Sequence, residues 1–157
     1  MRSDSKYSFL EAKARLEALC AVQERCSFEL QKKMNSWGIM QEDSDALLAH
    51  LIANNFLDEQ RFAVAFVSGK VTIKKWGKVK IKRHLQQKFI SDYSINYALN
   101  TIDDAVYLNH LSSLATKKFN ILEKEKDAFI RKGKVYQYLL SKGYESDRIR
   151  SVINTLS

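Results

Sequence analysis

IKRHLQQKFISDYSINYALNTI, residues Ile81 to Ile102, and VYQYLLSKGYESDRIRSVINTL, residues Val135 to Leu156, carry the same pattern. Ile81, Leu85, Phe89, Ile90, Ile95, Ala98, Leu99 and Ile102 match Val135, Leu139, Gly143, Tyr144, Ile149, Val152, Ile153 and Leu156 at a constant offset of 54. Apolar residues three and four apart are the period of a helix with one buried face, and self-similarity at fixed spacing is the mark of a repeat array. A looser copy precedes these two. Leu30, Met34, Gly38 and Ile39 match Ile81, Leu85, Phe89 and Ile90 at an offset of 51. Its last helix is then expected to start late, because Leu48 follows Ile39 by nine positions rather than five.

Working outward, the helical period recurs almost everywhere, with no convincing strand alternation. Residues 7–23 place Leu10, Ala14, Ala18 and Ala21 or Val22 on one side. Ser27 is a candidate cap for the next helix, which holds Leu30, Met34 and Trp37 and closes at Gly38. Asp43 or Ser44 would cap a third helix with Leu48, Leu51 and Ile52 inward. Asp58 would cap a fourth through Phe62, Ala65, Phe66 and Ile73, interrupted at Gly77. Helices from about Lys78 to Lys88, from Asp92, from near Asp103 past Lys118, through Val135 and Leu139 to Gly143, and from Ser146 complete the chain. The expectation is an all-α fold in one domain over 1–157: three helix-turn-helix-like triplets, at about 7–56, 57–102 and 103–157, stacked into an elongated, curved molecule.

The absence of proline and the abundance of Leu, Ala, Lys, Glu and Gln suit helices. No apolar run approaches the roughly 20 residues of a membrane span. Met1 to Tyr7 is polar and lacks the apolar stretch of a secretory signal. Cys20 and Cys26 have no further cysteine to complete a metal pattern and read as reduced thiols, or as small packing residues, in a cytoplasmic protein.

Charge is unevenly distributed. Arg61, Lys70, Lys74, Lys75, Lys78, Lys80, Lys82, Arg83 and Lys88 lie in a 31-residue stretch without one acid, while outside it 17 bases face 18 acids. The net charge of +8 is therefore local, and a local positive field suits a polyanion. On a helix starting near Lys78, Lys78 and Lys82 share one flank and Lys80 and Arg83 another, with Ile81 and Leu85 inward. Lys74 and Lys75 end the preceding helix. The candidate nucleic-acid surface is thus Lys74, Lys75, Trp76, Lys78, Lys80, Lys82 and Arg83, converging on one helix–helix corner. Trp76 reads first as a large core residue and second as a stacking platform for a base. Lysines grip phosphate without reading sequence, so little sequence preference is expected.

No catalytic set is apparent. His50, His84 and His110 fall in different triplets without metal-ligand spacing, and no phosphate-cradling glycine loop is present. No cofactor, metal or enzymatic activity is expected. Asp43, Asp58 and Asp103 read as helix caps.

Two stretches resemble a known family. Asn55 to Phe66, NFLDEQRFAVAF, and Lys74 to Leu85, KKWGKVKIKRHL, are similar to the signature of the RecX family. Gln23-Glu-Arg-Cys-Ser and Lys142-Gly-Tyr resemble its outer repeats, so the likeness covers about residues 7–157. It implies tandem three-helix repeats and a regulator of the RecA recombinase in recombination and DNA repair. Such a protein would lodge in the groove of the RecA–DNA filament, inhibit ATP hydrolysis and strand exchange, and bind DNA itself. In the central motif Asp58, Arg61, Phe62 and Phe66 read as architecture: a cap, a partner for Asp58 or Glu59, and two packing rings. A stand-alone, sequence-tolerant DNA-binding protein is the alternative. The pattern departs at Phe89, where a glycine is expected and the turn should close differently, and at the charged stretch Glu123 to Lys134.

Overall fold

Each stretch of helical period is a helix in the computed structural model, which describes residues 4–157; Met1 to Ser3, the start of the polar N-terminus, lie outside the described residues. Among the described residues there are nine helices and no strand: α1 (Phe9–Val22), α2 (Ser27–Ser36), α3 (Gln41–Ala53), α4 (Glu59–Thr72), α5 (Lys78–Gln87), α6 (Asp92–Leu99), α7 (Asp104–Ile121), α8 (Ala128–Ser141) and α9 (Ser146–Ile153). Each triplet has its own core. Ala12, Leu16, Leu30, Met34, Leu47 and Leu51 fill the first. Phe62, Ala63, Val67, Val71, Ile81, Leu85, Ile90, Ile95 and Ala98 fill the second, joined by Cys26 from the first triplet. Tyr107, Leu111, Ala115, Phe119, Val135, Leu139, Tyr144, Ile149 and Ile153 fill the third. Ile102 packs against both of the last two cores. The surface of 9729 Å² exceeds the about 8,100 Å² of a compact protein of this mass, as an elongated array should.

The first triplet is in closer register than its residues suggested. α2 starts at Ser27 and α5 at Lys78, α3 at Gln41 and α6 at Asp92, so one offset of 51 serves both helices. The late start expected for α3 is not observed. The buried position equivalent to Ile95 and Ile149 is occupied by Ser44, whose polar side chain hid the match. Ser44 is therefore a core residue, not a cap, and Met40 precedes the helix without a side-chain cap. Ser27 likewise opens α2 as its first residue, after Cys26.

All three second helices end in the same way. The N–H groups of Ile39, Ile90 and Tyr144 donate to the carbonyls of Met34, Leu85 and Leu139. Between each pair the chain passes through a left-handed residue: Gly38 (φ 73°), Phe89 (φ 59°) and Gly143 (φ 97°). The turn at Phe89 thus closes like the others, contrary to expectation, and the cost of a Cβ there is about 1–2 kcal/mol. Its ring lies 5.2 Å from Phe28.

Several inward faces differ from the sequence reading. α1 buries Ala12 and Leu16, while Leu10 and Val22 are exposed; apolar residues encircle this helix, so period alone could not choose a side. α3 turns Leu47 rather than Ile52 inward, and α4 buries Ala63, Val67 and Val71 in place of Ala65 and Ile73. The charged stretch from Glu123 becomes a short loop and an added first turn of α8, capped by Asp127. From that turn the Arg131 guanidinium donates at 2.6 and 3.0 Å to the Phe119 carbonyl, which also accepts the Leu122 N–H at the end of α7.

Candidate nucleic-acid interface

Gly77 ends the loop between α4 and α5 and precedes the first residue of α5. Here the start of α5 meets the end of α8. The N–H groups of Gly77 and Val79 donate to the carbonyls of Lys142 and Gly143, at 2.8 and 2.9 Å. Free N–H groups at a helix start and free carbonyls at a helix end are the unsatisfied groups of any helix, and these two sets satisfy each other. The backbones touch because both positions are glycines. A Cβ on Gly77 would lie 2.3 Å from the Gly143 carbonyl, and one on Gly143 would lie 2.3 Å from the Lys80 Cβ.

Tyrosines and cations complete the joint. The Lys78 N–H donates to the Tyr107 oxygen at 2.9 Å, and Tyr107 donates in turn to Glu145. Burial, then that bond to Glu145, pushes the Tyr107 hydroxyl above its ordinary range. Tyr144 donates to the Lys75 carbonyl at 2.8 Å, and the Lys142 ammonium donates to the Lys74 carbonyl at 3.0 Å. Lys75, itself left-handed (φ 56°), brings its ammonium to 3.3 Å from His110 Nε2. An ammonium can only donate, so Nε2 accepts and the proton sits on Nδ1.

Of the predicted cations, Lys74, Lys75, Lys78 and Lys80 lie at this joint, and Lys82 and Arg83 follow along α5. Lys74, Lys82 and Arg83 are exposed; Lys75, Lys78 and Lys80 are half-buried. The Lys78 ammonium lies 4.9 Å from the Tyr107 ring centre. Trp76 is half-buried against the second core, with the ammoniums of Lys70 and Lys80 at 4.7 and 4.4 Å and the His84 ring at 4.6 Å. That is the core reading of Trp76, with cations over its ring. Among the described residues no carboxylate forms an ion pair with Lys70, Lys74, Lys75, Lys78, Lys80, Lys82 or Arg83. The two ends of the basic stretch are neutralised: Arg61 pairs with Glu24 at 2.6 Å, rather than with Asp58 or Glu59, and Lys88 approaches Glu29 at 3.9 Å.

The mutual field is visible in the titrating groups. His84 is pushed below its ordinary value by burial and then by Lys80, Arg83, Lys70 and Lys88. Lys142 is lowered by burial and then by Lys80 and Lys74. The sequence reading missed Lys142 as a member of this cluster; the signal was present only in Lys142-Gly-Tyr, set apart as a resemblance. The N–H groups of Lys78 and Val79 are already bonded, so an anion at this corner would be held by side chains. Among the described residues no group of three or more His, Cys, Asp or Glu could hold a metal ion, and no helix is long and apolar enough to cross a membrane.

The RecX second three-helix domain matches residues 58–99, and the RecX third three-helix domain matches 105–153. A regulatory protein RecX from Clostridium botulinum (strain Alaska E43 / Type E3) is 35% identical over 144 residues, covering 90% of this chain and 67% of that protein. Another, from Clostridium botulinum (strain Eklund 17B / Type B), is 35% identical over 126 residues, covering 80% of this chain. The chain spans 58% of the length of that second relative. The fold is shared with the crystal structure of RecX from Lactobacillus salivarius, at a TM-score of 0.81 and 23% identity, covering 93% of this chain and 94% of that one. A crystal structure of regulatory protein RecX aligns at a TM-score of 0.80, covering 93% of this chain and 73% of that one. By its two matched domains and its 35% identical relatives, the chain belongs to the RecX family.

Proposed function

We propose that this chain is a cytoplasmic, non-enzymatic regulator of the RecA recombinase, acting as a monomer in the groove of the RecA–DNA filament. There it restrains ATP hydrolysis and strand exchange. One observation carries the reading: seven cations without carboxylate partners among the described residues lie on the end of α4, the loop after it and α5, and that loop and the start of α5 meet the end of α8 in a joint whose backbones are in direct contact. Such a joint holds the spacing of its charges, so cations can face DNA phosphates or acidic filament side chains without reordering. A stiff array lying across neighbouring subunits opposes the movements that accompany turnover. Lys74, Lys75, Lys78, Lys80, Lys82 and Arg83 supply the contacts, and Trp76 supports them.

A stand-alone DNA-binding protein would need the same cations. The two readings part when RecA is first assembled on single-stranded DNA and ATP hydrolysis is followed on adding the purified chain. Inhibition far below the concentration that coats bare DNA is expected. Inhibition only at DNA-coating concentrations would overturn the filament reading in favour of plain DNA binding.

A further inference from the structure

Phe89 does what neither equivalent residue does. Gly38 and Gly143 take the same left-handed turn without a side chain, whereas Phe89 takes it with an aromatic ring that is 77% exposed. The ring meets Phe28 of the first triplet yet leaves most of its surface in solvent, and strain kept at so exposed a position points to use. The ring lines a cleft of about 730 Å³ between the first and second triplets, a volume suited to a bound side chain or short segment. Phe28 and the exposed Ile52 line it too.

The spare charge of the cleft is positive. Arg25 lines it and has no hydrogen-bond or ion-pair partner among the described residues, with its Nε buried. Its planar fork suits a carboxylate. Lys88 is held only loosely by Glu29. The acids of the cleft are engaged: Asp58 accepts the Arg61 N–H, and Glu59 accepts from the Ser91 N–H and from the hydroxyls of Ser91 and Ser94.

We infer that this cleft docks an acidic, apolar peptide segment of a partner protein, with an apolar side chain against Phe28, Phe89 and Ile52 and a carboxylate on Arg25. The cleft uses none of the lysines from Lys74 to Lys82, so its failure leaves the filament reading standing.

The probe is a fluorescein-labelled synthetic peptide of alternating Leu or Phe and Glu, beside the same peptide with Gln for Glu, read by fluorescence polarisation. Saturable binding of the acidic peptide is expected, weakened at least about tenfold in the Gln peptide and in Phe89→Gly and Arg25→Gln chains. Phe89→Gly copies the turns at Gly38 and Gly143, and circular dichroism checks that it folds. A chain carrying Lys74→Gln and Lys80→Gln should bind the peptide as before. No saturable binding up to about 1 mM, unchanged binding by Phe89→Gly, or loss of binding in the lysine variant would overturn the assignment. So would a dimer that Phe89→Gly abolishes, since a second copy would then be the occupant.

Discussion

At the first joint of the array, Arg61 reaches across to Glu24, Lys88 to Glu29, and Phe89 to Phe28. At the second, the Gly77 and Val79 N–H groups bond to the end of α8, and two glycines let the backbones touch. Long side chains at a surface turn about many bonds, and their ion pairs give about 0–1 kcal/mol each, less in salt. Main chain packed on main chain has no such freedom. The kind of bonding at a joint therefore sets how far its two triplets can move. Here most of the unpaired cations lie at or beside the stiff joint, while near the loose one Arg61 and Lys88 are tied to carboxylates and Arg25, in the cleft, is left without a partner among the described residues. Stiffness and free charge occur together, as a surface that must present several cations at once requires.

The widest gap between the joints should appear on adding a single methyl group. Gly143→Ala would set a Cβ 2.3 Å from Lys80 Cβ and 2.7 Å from its backbone nitrogen, at a φ of +97° that alanine resists. The expected destabilisation is about 3 kcal/mol or more, and the Gly77 and Val79 amides should exchange freely with solvent. Glu24→Gln at the first joint should cost about 1 kcal/mol at most, and nothing measurable in high salt. Thermal denaturation at two salt concentrations compares them. Equal costs would mean that the joints do not differ in kind.

Charge should separate the joints next. Replacing Lys74, Lys80 and Lys142 together by Gln should lower the log–log salt slope of DNA affinity by about 0.9 for each phosphate no longer neutralised. Replacing Arg61 and Lys88 should leave that slope almost unchanged, since each already has a carboxylate. A smaller effect follows from His84. Burial and four neighbouring cations hold it below the ordinary histidine value, which favours the neutral ring in the free protein. A bound polyanion reverses that field and favours the protonated ring. DNA affinity should therefore rise about two- to fivefold as pH falls from about 8 to about 6, and His84→Asn should flatten the rise. Folding responds with the opposite sign. A depressed histidine contributes fully above its unfolded value and loses that contribution as pH falls below it. His50, which bonds Glu17 in the first triplet, serves as the control, and its replacement should leave the binding profile unchanged.

The second and third triplets were legible because apolar residues recur at one offset and because Asp58 and Asp103 cap helices, as expected of them. Gly38 and Gly143 marked helix ends for the same local reason. What stayed hidden is tertiary. The second joint brings Gly77 against Gly143 through backbone, and main-chain bonds leave no side-chain signature in a sequence. The neutralisation of Arg61 and Lys88 depends on partners in another triplet. Lys142 belongs to the basic cluster only because α8 ends where α5 begins.

Ser44 concealed the register of the first triplet, and it should betray itself energetically. It is fully buried where the other triplets carry Ile95 and Ile149, and its hydroxyl has no hydrogen-bond partner among the described residues. A hydroxyl removed from water without a partner is costly, and deleting it relieves that cost. Against this, alanine leaves a space of about one oxygen atom in the packed core of the first triplet. Ser44→Ala should therefore raise stability slightly, by about 0.5 kcal/mol, through the first triplet alone. Ser94, also buried but bonded to Glu59, is the internal comparison. Its replacement by alanine should lower stability by about 1 kcal/mol, because Glu59 then lacks one donor while remaining anchored to Ser91. Denaturant midpoints for the two variants should move in opposite directions. If both fell, the hydroxyl of Ser44 would have to be satisfied in solution, and the equivalence of its site to Ile95 would no longer explain why the first repeat reads so faintly.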